Sequence, residues 1–256
     1  MESIYTLLSA MKGQQRQMDT VSNNLANVNT TGYKADKVLF REYYNQVAGQ
    51  DLESEEEKFA HGEFISPMSR GGTSFVMPDH VSPSMTKGPF KTTENPFDLA
   101  IRSEGFFVVE TPHGTRYTRN GQFLRDPKGF LINNSGDKVQ GLKGDIRING
   151  EEFSVGEDGS IMVDNQAVDT LKIMGFPEES RLTKMGNSYW VPGSREQKPS
   201  KPEFINIEQR VLESSNVDTV KEMVNMINVN RSYEASQKLL RSLDDLDEQV
   251  ISIAKI

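Results

Sequence analysis

Apolar residues at both ends of the chain recur at alternating steps of three and four, a period that only a helix can use. At the N-terminal end the series is Ile4, Leu7, Met11, Gln14, Met18, Val21, Leu25 and Val28, with Gln14 its one polar member. At the C-terminal end it is Leu239, Leu243, Leu246, Val250 and Ile253. A mean step near 3.5 gathers side chains into the narrow stripe of a heptad seam. An ideal helix drifts by about 20° per heptad from that spacing, so the seam favours left-handed winding with a partner. So narrow a stripe leaves an isolated helix marginal, because nucleation and backbone ordering are poorly offset. Each end is therefore expected to need a partner: the other end, another subunit, or both. Helix propensity falls at Asn23, Asn24, Asn27 and Asn29, and Gly32 is a helix stop. The second helix is expected to start at Asp218 or Thr219, with Met223, Met226, Ile227, Val229 and Tyr233 broadening its apolar face and no Gly or Pro from 218 to 256.

Between the ends the pattern changes. Residues 36–85 read as an extended or linking region, with an acidic run, Asp51-Leu52-Glu53-Ser54-Glu55-Glu56-Glu57, and a linker-like Ser69-Arg70-Gly71-Gly72-Thr73-Ser74. Phe64-Ile65 and Phe75-Val76-Met77 are short strands or parts of an extended arm. Residues 86–210 read as all-β, with short apolar runs separated by turns. The runs are Leu99–Ile101, Gly105–Val109, Arg116–Arg119, Phe130–Ile132, Ile161–Val163, Leu171–Phe176 and Tyr189–Val191. The turns are Pro112-His113-Gly114, Asn120-Gly121, Asp126-Pro127-Lys128-Gly129 and Glu157-Asp158-Gly159, and Asn-Gly is the strongest hairpin signal among them. Trp190 is expected as a core anchor. The fold class is thus α+β. A helical segment 1–35 pairs in coiled-coil fashion with a helical segment 211–256, around an all-β domain 86–210.

Composition removes several functions. The chain carries 29 basic and 37 acidic residues for a net charge of −8, which is not the basic field a nucleic-acid binder needs. No apolar run is long enough for a transmembrane helix, so no membrane insertion is expected. With no cysteine, disulfides, thiolate metal sites and cysteine nucleophiles are excluded. Met1-Glu2-Ser3-Ile4-Tyr5-Thr6-Leu7-Leu8 has no basic leader, so no cleaved signal peptide is expected. His61, His80 and His113 share no helical face, and there is no zinc-protease motif, phosphate loop or nucleophile elbow. Ser135-Gly136-Asp137-Lys138 matches a lone Ser-x-x-Lys, and Asp126 and Asp158 sit in turns that explain them without catalysis. No enzyme activity, catalytic residue, cofactor or metal is expected.

Three ordered motifs carry a family likeness. Ser22-Asn23-Asn24-Leu25-Ala26-Asn27-Val28-Asn29-Thr30-Thr31-Gly32-Tyr33-Lys34 resembles the N-terminal signature of the bacterial flagellar basal-body rod and hook family. Asn95-Pro96-Phe97-Asp98-Leu99-Ala100-Ile101, Gly105-Phe106-Phe107 and Tyr117-Thr118-Arg119-Asn120-Gly121 resemble its central signature. Leu212-Glu213-Ser214-Ser215-Asn216-Val217-Asp218 and Glu222-Met223-Val224-Asn225-Met226-Ile227 resemble its C-terminal signature. The likeness spans residues 1–44 and 86–256.

The resemblance implies a structural axial subunit of the flagellum, exported by the flagellar export apparatus without a cleaved signal and placed in the periplasmic rod. Its partners would be copies of itself and neighbouring rod proteins. Terminal helices would line a central channel with β domains outside. Gln14 either sets the register of the seam or simply faces solvent, and the Asn cluster 23–29 either makes side-chain hydrogen bonds or only ends the helix. A distal-rod or hook-type axial subunit of the same family is one alternative. A β-domain surface-binding module on a helical stalk is another.

Overall fold

Two long helices bracket the chain: α1 (Glu2–Ala26) and α2 (Thr219–Ala254). The computed structural model describes residues 2–45, 73–176, 182–186, 188–193 and 199–254. The acidic run 51–57, Phe64-Ile65 and His61 lie outside them, as does most of the 69–74 linker. Helix α2 starts at Thr219, one of the two expected starts, and its 36 residues span about 54 Å at 1.5 Å each. Helix α1 stops at Ala26. Its orphan carbonyls are taken up in tight three-residue turns, Asn27 N–H to Asn24 O at 3.1 Å and Val28 N–H to Leu25 O at 3.3 Å.

The chain forms two compact units. The first comprises Met1–Asn23, Asp36–Ser82 and Val220–Ile256. It holds most of both helices together with strands β1 (Asp36–Asn45) and β2 (Thr73–Pro83), which pair in a two-stranded sheet. Residues 36–85, expected to be extended or linking, thus contribute a sheet, and Phe75-Val76-Met77 lies within β2. The Phe40 ring rests over Gly13 of α1, where a Cβ would stand 3.2 Å from it. Gln14 turns to the other helix: the Ser236 hydroxyl shares its proton between the Ser232 carbonyl at 2.9 Å and the Gln14 side-chain oxygen at 3.3 Å.

The covered stripe of α2 is not the leucine series that stands out in the sequence. Val229 and Ser236 are buried, and Met226, Tyr233, Leu240 and Leu243 are half-buried. These residues follow the same alternation of three and four. Leu239 and Leu246 lie off that stripe, 59% and 53% exposed, and of the series Leu239, Leu243 and Leu246 only Leu243 belongs to it. Ser236 conceals the stripe in the sequence, because a hydroxyl at a seam position reads as a break. On α1, Leu7, Met11, Gln14 and Met18 are half-buried and Val21 is buried. Ile4, Val250 and Ile253 are described in their backbone alone.

The second unit comprises Asn24–Ala35 and Pro83–Thr219. Its strands are β3 (Phe90–Thr92), β4 (Leu99–Ile101), β5 (Phe106–Thr111), β6 (Gly114–Thr118), β7 (Phe123–Arg125), β8 (Leu131–Asn133) and β9 (Lys138–Val139). They continue with β10 (Phe153–Val155), β11 (Ser160–Val163), β12 (Gln166–Thr170), β13 (Ile173–Met174), β14 (Leu182–Met185) and β15 (Tyr189–Pro192). Strands β16 (Ile207–Gln209) and β17 (Val211–Glu213) close the series. An eight-stranded sheet runs β14-β15-β6-β5-β9-β8-β7, with β13 also on β5. A three-stranded sheet runs β10-β11-β12. Strand β5 is a near-continuous apolar run because both its faces are covered. Phe107 and Val109 enter a core with Leu99, Phe123, Leu131, Ile161 and Ile207, while Phe106 and Val108 enter a second with Tyr117, Leu182 and Trp190.

Chain returns alter the boundaries read from sequence. Strand β16 pairs with β4 and β17 with β3, so residues 207–213 complete the β unit. Residues 211–218, expected with the C-terminal helix, and 27–35, expected with the N-terminal one, belong to this β unit and not to a helix. The turns at Pro112-His113, Asp126–Gly129 and Glu157–Gly159 each close a hairpin as expected. Asn120-Gly121 does not, since β6 and β7 are not paired. It carries the chain across β4 instead, where Leu99 N–H donates to Gly121 O at 3.0 Å. One hairpin not foreseen closes at Asp164-Asn165, both at positive φ (50° and 62°), the geometry of a type I′ turn without glycine.

Gly121 lies so close to β4 that an added Cβ would meet the Leu99 carbonyl oxygen at 1.7 Å, whereas nothing lies within 4 Å of a Cβ at Gly136, whose φ is +85°. Gly121→Ala is expected to destabilise by about 3 kcal/mol through a backbone clash, and Gly136→Ala by about 1 kcal/mol through local strain alone. Urea unfolding of the two variants measures the difference; equal losses would contradict this account of β4.

Candidate functional site

The three motifs separated in sequence meet in one buried cluster of the second unit. The N-terminal motif supplies the loop after α1. There the Tyr33 hydroxyl donates to Asn24 Oδ1 at 3.2 Å and the Thr30 hydroxyl to Asn27 Oδ1 at 3.2 Å, so the Asn side chains are bonded where helix gives way to loop. Gly32, at φ +68°, brings this loop against the backbone of the central motif: a Cβ there would stand 2.5 Å from the Arg119 carbonyl carbon. Its N–H donates to the Glu213 carbonyl oxygen of the C-terminal motif at 2.7 Å.

Charge sits at the centre. Lys34 and Glu213 are each 1% exposed, and Lys34 Nζ lies 2.5 Å from Glu213 Oε1 and 2.9 Å from the Thr86 carbonyl oxygen. The same Glu213 oxygen accepts Gly88 N–H at 3.1 Å. Arg119, also buried, approaches Glu213 Oε2 at 3.6 Å and donates to the carbonyls of Ile101 (3.1 Å) and Ser103 (3.2 Å). Its guanidinium stands 5.3 Å from the centre of the Phe106 ring. Two cations therefore share one carboxylate, and backbone carbonyls take up the excess positive charge. Burial pushes the Lys34 ammonium below its ordinary range, with the Glu213 carboxylate opposing the shift. Burial lowers Arg119 in the same way, again opposed by Glu213.

Asn216 closes the cluster. Its Oδ1 accepts Ala35 N–H at 2.6 Å, and its Nδ2 donates to the Ser84 carbonyl at 2.9 Å and to Thr86 at 3.0 Å. Lys184 of β14 donates to the Lys34 carbonyl oxygen and lies 4.1 Å from the centre of the Tyr33 ring. Other motif residues support the frame. Asp98 accepts Asn95 Nδ2 at 2.9 Å, the Thr118 hydroxyl donates to Ser188 O at 3.1 Å, and Val217 N–H donates to the Ser215 hydroxyl oxygen at 3.3 Å. Leu99, Phe106, Phe107 and Tyr117 are buried in the cores. Glu222 and Met223, in α2, belong to the first unit.

The residues weighed for chemistry are occupied with turns. Asp126 Oδ1 accepts Phe130 N–H at 2.6 Å. Asp158 accepts the Ser160 hydroxyl at 2.6 Å and its N–H at 3.1 Å, which holds that carboxyl below the usual carboxylate range. Ser135 and Asp137 donate their N–H groups to Asn133 Oδ1, and Lys138 pairs with Asp145 at 2.6 Å. His113 occupies the β5–β6 turn and His80 lies in β2.

Lys34 and Glu213 lie within two of the motifs, yet nothing local in the sequence announces a partner 179 positions away. Glu213→Gln is expected to destabilise the β unit by about 3–5 kcal/mol, since it leaves two buried cations without a counter-charge. Adding Lys34→Met removes one of them, so the double variant should lose less than the sum of the single losses. Urea denaturation of the three variants gives the coupling, and strict additivity would show that the ion pair is not felt.

Comparison with known proteins follows the same three segments. Residues 4–34 match the model for the flagella basal body rod protein, 100–163 that for the flagellar hook protein FlgE/F/G D1 domain, and 208–253 that for the flagellar basal body rod FlgEFG protein C-terminal region. Lys34, Arg119 and Glu213 fall one in each. The chain is 30% identical to the flagellar basal-body rod protein FlgF of Caulobacter vibrioides, over 97% of this chain and 96% of the relative. It is 30% identical to the rod protein FlgG of Buchnera aphidicola subsp. Baizongia pistaciae (95% and 96%) and 29% to the FlgF of Mesorhizobium japonicum (98% and 96%). The chain belongs to the family of bacterial flagellar basal-body rod proteins.

Proposed function

We propose that this structural subunit of the flagellar basal-body rod builds, through its terminal helices, into a tube that transmits torque for motility. The observation that carries this reading is the pair of leucines left outside the covered stripe of α2. Leu239 and Leu246, seven residues apart, are both more than half exposed in the single chain. Large apolar side chains repeated on one helical face and uncovered by their own chain are suited to a neighbouring helix. Head-to-tail contacts that do not close into a ring generate a helical filament, the geometry a rod needs. The covered stripe of α2, with Gln14 bonded to Ser236, supports coiled-coil pairing of the two helices within the chain, and Gln14 serves there as a register-setting polar position. Leu25 and Val28 are half-buried in the second unit.

The partners are other copies of this chain and neighbouring rod proteins, and the route is the flagellar export apparatus, without a cleaved signal, to the periplasmic part of the basal body. Chain length and the run Thr92–Asp98 are most like proximal rod members, with distal rod members close. The family is one of structural proteins, and the reading assigns no catalytic, cofactor or metal-binding role.

Leu239→Asp and Leu246→Asp are expected to leave unfolding stability within about 0.5 kcal/mol, as for other exposed positions, and to abolish rod assembly and swimming. Motile cells with intact rods carrying both substitutions would rule out this interface.

A further inference from the structure

We propose that residues 30–35, 84–88 and 213–216 act as a coincidence latch, three segments that close or open only together. This goes beyond the reading as a rod subunit and does not depend on it. The basis is that the polar groups of the junction each serve more than one segment. The Glu213 carboxylate takes Lys34 from the first segment and Gly88 N–H from the second, while its carbonyl takes Gly32 N–H. Lys34 Nζ serves Glu213 and the Thr86 carbonyl. Asn216 accepts from Ala35 and donates to Ser84 and Thr86, and its own N–H donates to the Tyr33 carbonyl at 3.3 Å. Ser84 N–H in turn donates to the Ala35 carbonyl at 2.7 Å.

No two of these segments satisfy each other alone. Without 213–216, Lys34 loses the carboxylate it is paired with while the positive charges of Arg119 and Lys87 still act on it. Without 30–35, Glu213 stays buried with its Lys34 partner gone and Arg119 at 3.6 Å. Without 84–88, Lys34 loses its carbonyl acceptor and the Asn216 side-chain amide its Ser84 and Thr86 acceptors. Each half-made state therefore leaves one or both of the buried ions Lys34 and Glu213 short of a partner, which costs about 1–3 kcal/mol for a polar group and more when it is charged. The fully open state returns them to water. Partly open states thus lie above both extremes, the condition for all-or-none closure. The latch anchors the loop that leaves α1 and the segment that leads into α2, so one event fixes both. Because Lys34 and Glu213 stand 179 positions apart, it cannot close until almost the whole chain is present.

Native-state hydrogen exchange of the full chain in rising denaturant tests this. The amides of Gly32, Ala35, Ser84, Gly88 and Asn216 are expected to follow one shared opening isotherm, below that of the core amide of Val109. Asn216→Ala should accelerate all five positions by a common factor of about tenfold or more, leaving Ile161 and Val163 of β11 unchanged. The latch is refuted if the unsubstituted protein shows two or more separate isotherms among the five, or if they coincide with Val109. It is refuted equally if Asn216→Ala accelerates only positions 35 and 84. Should that variant not fold, the unsubstituted protein decides alone.

Discussion

One carboxylate, Glu213, is buried with two cations, and the course of the chain around it follows from that placement. Removing three charges from water costs several kcal/mol per ion, which the pairing offsets only with good geometry. Lys34 reaches Glu213 because the Gly32 loop lies against the Arg119 backbone. Arg119 is held by the Ile101 and Ser103 carbonyls, at the end of β4 and just beyond it. Glu213 ends β17, itself paired with β3. Loop, central strands and returning strand must all be in place before the charges balance.

An apolar filler of similar volume often stabilises a protein as much as a buried ion pair does. The arrangement here is better understood as a device for specificity. A greasy contact would accept many registers, whereas a carboxylate with fixed donors accepts one. That matters in a β unit whose N-terminal loop and C-terminal strands are separated by most of the chain. Fixing the register of residues 30–35 and 213–216 fixes, within the β unit, both segments that adjoin the terminal helices in sequence.

Family membership and geometry inform each other. Each of the three matched segments contributes one charged residue to the cluster, so motifs that look like independent signatures are, in this chain, parts of one contact. The conspicuous leucines of α2 have a separate role. Two, Leu239 and Leu246, stand outside the stripe the chain covers for itself, and under the proposed function these are the side chains that meet a neighbouring subunit.

Periodicity alone determined much of this protein. A step near 3.5 specified helices at both ends, the apolar period and a capping residue narrowed the start of α2 to Asp218 or Thr219, and short apolar runs between turn residues located β4, β8, β11 and β15. These are local features, encoded within a few residues of where they act. Tertiary structure alone decided which stripe of α2 is covered, because Ser236 is buried through a bond to Gln14 some 222 positions away. It also decided that Asn120-Gly121 crosses β4 rather than closing a hairpin, and that residues 207–213 return as strands. Above all it decided that Lys34, Arg119 and Glu213 share one site. A side chain's neighbours across the fold leave no mark on its neighbours along the chain, so burial of a charge, unlike helical period, is visible only once the partner has arrived.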